Sequence, residues 1–177
     1  MTAAGSAVAA SHLRRLSRPS VVRGHRGKDV TVARMKLAEV APEYYKAWFE
    51  AEKAIRRGPL NPVVRELVKI RASQINGCVY CIDLHTTDAR LAGETEKRIY
   101  QLDAWRESAL YDEAERAALA YAEAVTKLGE HGVSDEIWAE VEKHFDEGAR
   151  AGLVAVTAMI NLWNRIGVPL RMQPEVG

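Results

Sequence analysis

From Val32 to about residue 170, hydrophobic positions recur at helical spacing. After Ala41-Pro42, the residues Tyr45, Trp48, Phe49, Glu52 and Ile55 fall along one stripe that stops at Gly58, a residue type that readily closes a helix. Asn61-Pro62 opens the next segment in the same way, with Val63, Leu67, Ile70 and Gln74 on its stripe and Asn76-Gly77 as its stop. The pattern predicts a third helix from Cys78 towards Gly93 and a short one over residues 95–105. A further helix is opened by the capping box Asp112-x-x-Glu115 and carries Leu119, Ala122, Val125 and Leu128 before Gly129. Ser134 caps a helix through Ile137, Val141 and Phe145, and Asp146 precedes the last one. No alternating-polarity segment of useful length occurs, so the fold class is all-α: a single-domain bundle of about six to eight helices.

The last segment, residues 153–166, is apolar on nearly every side before Gly167 and Pro169. Val154, Val156, Met159, Ile160, Leu162 and Trp163 point around its whole circumference. A helix of this kind is either central in its own domain or buried against a partner.

Charge changes the picture only at the start of the chain. Lys and Arg number 25 against 24 Asp and Glu, a net charge of +1 that offers no global attraction to nucleic acid. Residues 1–28 nevertheless carry Arg14, Arg15, Arg18, Arg23, Arg26 and Lys28 and no acid. The chain therefore reads as a basic N-terminal extension (1–31), a helical domain (32–170) and a C-terminal tail (171–177). The extension matches neither a secretory nor a twin-arginine signal, and although a mitochondrial transit peptide shares its composition, a solvated arm or one laid on a neighbouring subunit is the favoured reading. The longest apolar run, 151–160, lies between Arg150 and Asn161 and is about half of what a bilayer needs, so no membrane span is expected. A cytoplasmic location is expected. Gly24-x-x-Gly27 has no strand before it and makes no phosphate loop, and with no flavin or nicotinamide fingerprint the chain is expected to bind no cofactor.

The two cysteines are Cys78 and Cys81, too few for a disulfide framework, so their chemistry must be local. They follow Asn76-Gly77 at a helix start, where free backbone N–H groups and the helix dipole favour an anion such as a thiolate. His85 comes four residues after Cys81, and at about 100° per residue Cys78, Cys81 and His85 lie within about 60° of one another on one face. Asp83 points away. A free thiol, with a pKa of about 8.5, is only a few per cent ionised at pH 7, whereas a helix N-terminus and an imidazole can lower the pKa to about 6. Two thiols at this spacing can also close to a disulfide, so oxidation of one to a sulfenic acid can be resolved by the other. Reversible thiol redox is the chemistry implied. Against it stand two small buried hydrophobes at a helix crossing, and a zinc-binding or redox-sensing module on Cys78, Cys81 and His85 with Glu66 or a distant His as fourth ligand. Taken alone, Glu66 with Arg65 and Lys69 reads as a charged helix face.

Glu66, eleven residues, Cys78-x-x-Cys81, three residues and His85 together resemble the signature of alkylhydroperoxidase D (AhpD)-like proteins in the carboxymuconolactone decarboxylase superfamily. The flanks Lys69-Ile70-Arg71-Ala72-Ser73-Gln74-Ile75-Asn76-Gly77, Ala92-Gly93-Glu94 and Asn161-Leu162-Trp163-Asn164-Arg165 are similar too, and the resemblance spans roughly residues 33–170. It implies an all-helical fold, homo-oligomers built on trimers, and reduction of a hydroperoxide at the cysteine pair with electrons from a lipoyl or thioredoxin-like dithiol donor. It further implies that Cys81 attacks the peroxide, Cys78 resolves the sulfenic acid, and Glu66 and His85 relay the proton. The residues themselves leave the order open, because the first cysteine of such a pair usually receives more of the helix dipole. Where members can carry a histidine before the second cysteine, this chain has Tyr80, a weaker base that could still orient water or substrate. The superfamily name also suggests a lactone decarboxylase, but that chemistry does not require a cysteine pair. His12, His25, His131 and His144 read as solvated, Asn161, Asn164 and Arg165 as capping or interface residues, and Trp105, Trp138 and Trp163 as core or interface aromatics.

Overall fold

A computed structural model describes residues 33–175 and the backbone of Val22–Arg23 and Asp29–Val30, which pair antiparallel. His12, His25 and most of the basic extension lie outside the described residues. Among the described residues there are eight α-helices: α1 (Leu37–Val40), α2 (Pro42–Arg56), α3 (Pro62–Asn76), α4 (Val79–Leu91), α5 (Glu96–Gln101), α6 (Glu113–Lys127), α7 (Asp135–His144) and α8 (Glu147–Leu170), with a 3₁₀ turn at Leu102–Ala104. The fold is an all-α bundle.

The starts of the helices follow their local chemistry. Pro42 and Pro62 occupy first-turn positions of α2 and α3, where a missing N–H costs nothing. The side chain of Asn61 accepts from Val63 N at 2.8 Å, and that of Asp146 from Ala149 N at 2.8 Å. In the capping box of α6, Glu115 N donates to Asp112 Oδ1 at 2.8 Å while Asp112 N donates to Glu115 Oε2 at 3.0 Å. Gly77 closes α3 in the left-handed region at φ 68°, where a side chain would be strained.

Some ends differ from expectation. Helix α6 is closed by Leu128 in the left-handed region (φ 38°) and not by Gly129, and α8 runs through Gly167 and Pro169 to Leu170, with Arg171 left-handed. In α8 the Arg171 and Met172 amides close the last turn onto the carbonyls of Val168 and Gly167, so the helix ends on these bonds one residue past the proline. His144 is half-buried beside Glu140 rather than solvated.

The central helix is α3. Ten consecutive residues, from Val64 to Ser73, are buried, including Arg65, Glu66, Lys69 and Arg71. Helices α4, α6 and α8 pack around it. Its charges survive burial because each is paired: Arg71 donates to Glu123 at 2.7 Å and pairs with Asp103, Lys69 donates to Glu52 at 2.7 Å, and Arg65 pairs with Glu66 on the same helix. Around α3 sit a cluster built on Val68, Tyr121, Val141, Leu153 and Val156, a second on Leu67, Ile70, Leu102, Trp105 and Leu119, and a third on Ala72, Cys78, Cys81 and Ile160. Each fully buried aliphatic side chain contributes about 1.5–3 kcal/mol. The cysteine pair is thus part of the core.

Helix α8 buries one seam, Leu153, Val156, Thr157, Ile160, Asn161, Asn164 and Gly167, and leaves Val154 and Val168 exposed. At 24 residues it is long and apolar enough to cross a membrane, but its buried seam carries Thr157, bonded back to the Leu153 carbonyl, and Asn161 and Asn164, hydrogen-bonded into the bundle, as in a core helix.

Candidate active site

The turn between α3 and α4 places the cysteines. Cys78 is the residue immediately before α4, its amide donating back to Ser73 O at 3.0 Å across left-handed Gly77. A buried polar network holds this turn from below. Asn76 Nδ2 donates to Asn161 Oδ1 and Asn164 Oδ1, both at 2.9 Å, and Asn164 Nδ2 donates to Ser73 Oγ at 3.1 Å. Asn161 Nδ2 in turn donates to Thr126 Oγ1 at 3.0 Å, and Arg165 Nη1 donates to Asn161 Oδ1 at 2.8 Å. The asparagines of α8 therefore brace the site's backbone, a role that their spacing alone did not reveal.

Cys78 and Cys81 are joined as a disulfide with Cα atoms 5.3 Å apart, within the range that a disulfide spans. Both are buried. Gly167 explains how α8 comes so close: a Cβ at this position would lie 3.0 Å from Cys78 Sγ and 3.8 Å from Cys81 Sγ. The glycine that reads in the sequence as a helix stop is a close-approach position within the helix.

One turn beyond Cys81, His85 Nδ1 lies 3.1 Å from Glu66 Oε2, both residues buried. Burial pushes the Glu66 carboxyl up, but the Lys69 ammonium, the hydrogen bond to His85 and the Arg65 guanidinium together hold it well below the usual carboxylate range. Glu66 is therefore ionised and can only accept, so Nδ1 carries the hydrogen of this contact and Nε2 is the basic ring nitrogen. Arg65 Nε donates to Glu66 Oε1 at 3.1 Å and Lys69 Nζ lies 3.7 Å from it. The charged helix face that Arg65, Glu66 and Lys69 suggest when taken alone is instead an interior cluster, closed by Glu52 from α2. There too burial raises the carboxyl, and the charge and hydrogen bond of Lys69 outweigh it and bring it down.

Above the cysteines lies a pocket that opens to solvent. Cys81 and His85 line it, as do Tyr80, Leu84 and Glu52, and the aromatic wall of Tyr45, Phe49 and Trp163. The Trp163 ring centroid lies 5.2 Å from that of Tyr45 and 5.6 Å from that of Phe49. Met172, in the segment read from the sequence as a tail, completes the rim with Gly167. Burial, and then Tyr80, push the Tyr45 hydroxyl upward, so it stays protonated. Tyr45, Phe49 and Glu52 were on the predicted stripe of α2, and an acid on an apolar stripe was the available signal that Glu52 faces the interior.

Among the described residues, the group whose ligand atoms could meet at a metal is Glu66, His85 and Asp88, within 4.8 Å of one another, rather than the cysteines with His85. Arg65 and Lys69 already compensate the charge of Glu66, which weakens its pull on a cation.

Comparison with known proteins gives the family and relatives of the fold. The Carboxymuconolactone decarboxylase family profile matches residues 42–124. The uncharacterised protein YdfG of Bacillus subtilis is 44% identical over 137 residues, covering 77% of this chain and 93% of that protein. Among solved structures, a protein of unknown function from Agrobacterium tumefaciens, described as a candidate antioxidant defence protein AhpD, superposes with a TM-score of 0.79 at 36% identity over 82% of this chain and 99% of that one. A debrominase shares the fold with a TM-score of 0.71 at 23% identity, over 80% of this chain and 76% of its own.

Proposed function

The chain is an AhpD-like member of the carboxymuconolactone decarboxylase family, and from that premise we propose that it is a thiol-dependent hydroperoxidase, with an antioxidant role, whose working group is the Cys78–Cys81 pair. The observation that carries this reading is the meeting of three features: a cysteine pair at a helix start, a buried Glu66–His85 couple beside it, and a pocket lined by Cys81 but not by Cys78. The pocket favours Cys81 as the attacking thiol.

The reaction then runs as follows. In the reduced protein, His85 Nε2 takes the Cys81 proton while Glu66 holds the imidazole through Nδ1 and stabilises its charge. The thiolate attacks the terminal oxygen of R–O–OH, the O–O bond breaks, and the sulfur becomes Cys81–SOH while R–O⁻ takes up a proton and leaves as the alcohol. Cys78 sulfur attacks the sulfenic sulfur, its own proton and the hydroxyl leave as water, and the disulfide closes. An external dithiol, lipoyl or thioredoxin-like, restores both thiols by exchange and is itself oxidised to a disulfide. No bound cofactor is needed for any of these steps, and a reducing, cytoplasmic setting would supply the dithiol. Tyr80 and Tyr45 orient substrate or water from the pocket wall. The outward face of α8 around Val154 is the candidate surface for assembly into homo-oligomers built on trimers.

The test is direct. Reduced protein is treated with one equivalent of cumene hydroperoxide, its thiols are titrated and its peptides mapped by mass spectrometry. Loss of two thiols with formation of the Cys78–Cys81 disulfide is expected, followed by recovery with dihydrolipoamide or reduced thioredoxin. Thiols that stay free while a control thiol peroxidase oxidises would refute the reading.

A further inference from the structure

We propose that Glu52 is a substrate-binding residue of this pocket, and that its Oε2 accepts the terminal O–H of an organic hydroperoxide whose apolar body lies against Trp163 and Phe49. The inference rests on the peroxidase reading for the identity of the substrate, but its physical basis is separate. Glu52 reaches the pocket from α2, a helix that contributes nothing to the cysteine–histidine signature. Its two oxygens are not equivalent. Oε1 accepts from Lys69 Nζ at 2.7 Å, in a pair whose side chains are 12% and 2% exposed for the acid and the base. Oε2 is buried and has no hydrogen-bond partner among the described residues.

A carboxylate oxygen withdrawn from water without a partner is costly, and a group held that way persists where something else completes it. The rest of the wall gives the ligand's shape. Phe49, Trp163, Leu84 and Met172 offer apolar surface, which suits an organic body better than hydrogen peroxide alone. The ligand that matches both features is an apolar body bearing one hydrogen-bond donor. In a hydroperoxide that donor is on the oxygen that Cys81 must attack, so a bond from it to Glu52 would hold the reacting atom within the same pocket as the sulfur and the His85 imidazole. Lys69 fixes the carboxylate from behind and keeps it ionised, so it stays an acceptor. The O–H bond itself is not broken: its hydrogen remains on the oxygen that is transferred to sulfur, and Glu52 neither gains nor loses a proton in the step.

The experiment needs no turnover. Reduced protein is alkylated with iodoacetamide in the presence of 2-phenyl-2-propanol or of its methyl ether, and protection of Cys81 is followed by mass spectrometry as a function of probe concentration. The two probes share the aryl-alkyl body, and only the alcohol can donate. The alcohol is expected to protect at about tenfold lower concentration than the ether, the usual effect of one hydrogen bond to a charged acceptor. In Glu52→Gln, which keeps an oxygen for Lys69 but presents an amide to the pocket, the difference is expected to vanish. Equal protection by the two probes in the unsubstituted protein would overturn the proposal without any variant. So would an undiminished preference in Glu52→Gln, since that would trace the difference to the ether's bulk. If hydroperoxide leaves the thiols unoxidised, the peroxidase reading fails, while the comparison of alcohol and ether still decides what Glu52 does.

Discussion

Replacing Glu66 by Gln keeps the shape of the side chain and removes its charge, in the middle of a cluster that depends on that charge. In the native arrangement an ionised Glu66 holds His85 Nδ1 at 3.1 Å and accepts from Arg65, with Lys69 close by. An imidazole and a helix start can together raise the thiolate fraction of a cysteine at neutral pH about thirtyfold, so a fall of up to about that size is expected on loss of this couple. The assay is the rate of Cys81 alkylation against pH in reduced protein, for the unsubstituted chain, Glu66→Gln and His85→Ala. Both variants should shift the profile towards alkaline pH and meet the original rate once the thiol ionises unaided. Removing one partner of a buried ion pair typically costs about 3–5 kcal/mol, so helical content must be followed in parallel. Three superimposable curves, with the fold intact, would remove Glu66 and His85 from the mechanism.

Other consequences are as concrete. Cys81→Ser should abolish turnover while Cys78→Ser leaves Cys81 as a sulfenic or sulfinic acid, and mass spectrometry finding the trapped acid on Cys78 in Cys81→Ser would reverse the assignment. Gly167→Ala sets a methyl group 3.0 Å from Cys78 Sγ, and a loss of about 1–3 kcal/mol in denaturant unfolding is expected, with slower disulfide closure; wild-type values for both would contradict the close packing. Asn164→Ala removes the brace under the Ser73–Cys78 turn and should cost about 1–3 kcal/mol, read as a lowered melting temperature. Glu123, whose carboxyl burial raises but whose bonds to Trp105, Arg106 and Arg71 bring down from 4.5 to about 2, contributes stability that is fully present above the unfolded value of 4.5 and lost as pH falls towards 2. That difference corresponds to about 3 kcal/mol, and Glu123→Gln should flatten the acid limb of the stability curve over this range.

What the sequence determined by itself is everything that depends on neighbours a few residues away. Asn61, Asp112, Ser134 and Asp146 start helices because their side chains reach amides two or three positions on, and Cys78, Cys81 and His85 share a face because a helix turns by a fixed angle. The family signature added Glu66, from the preceding helix, to that group, although its spacing alone gave no reason to remove it from solvent. Tertiary structure decided which charges are interior, and periodicity cannot report this. Helix α3 looked amphipathic and is buried on all sides, because Lys69 meets Glu52 and Arg71 meets Glu123 from other helices, and burying a charge is tolerable only once such a partner arrives. Helix α8, apolar all round, left open a central place or burial against a partner, and within the chain it takes a side position with one seam inward. Gly167 read as a stop because glycine is common at helix ends, and only the approach of two sulfurs shows that its missing side chain is what lets α8 lie against the cysteine pair.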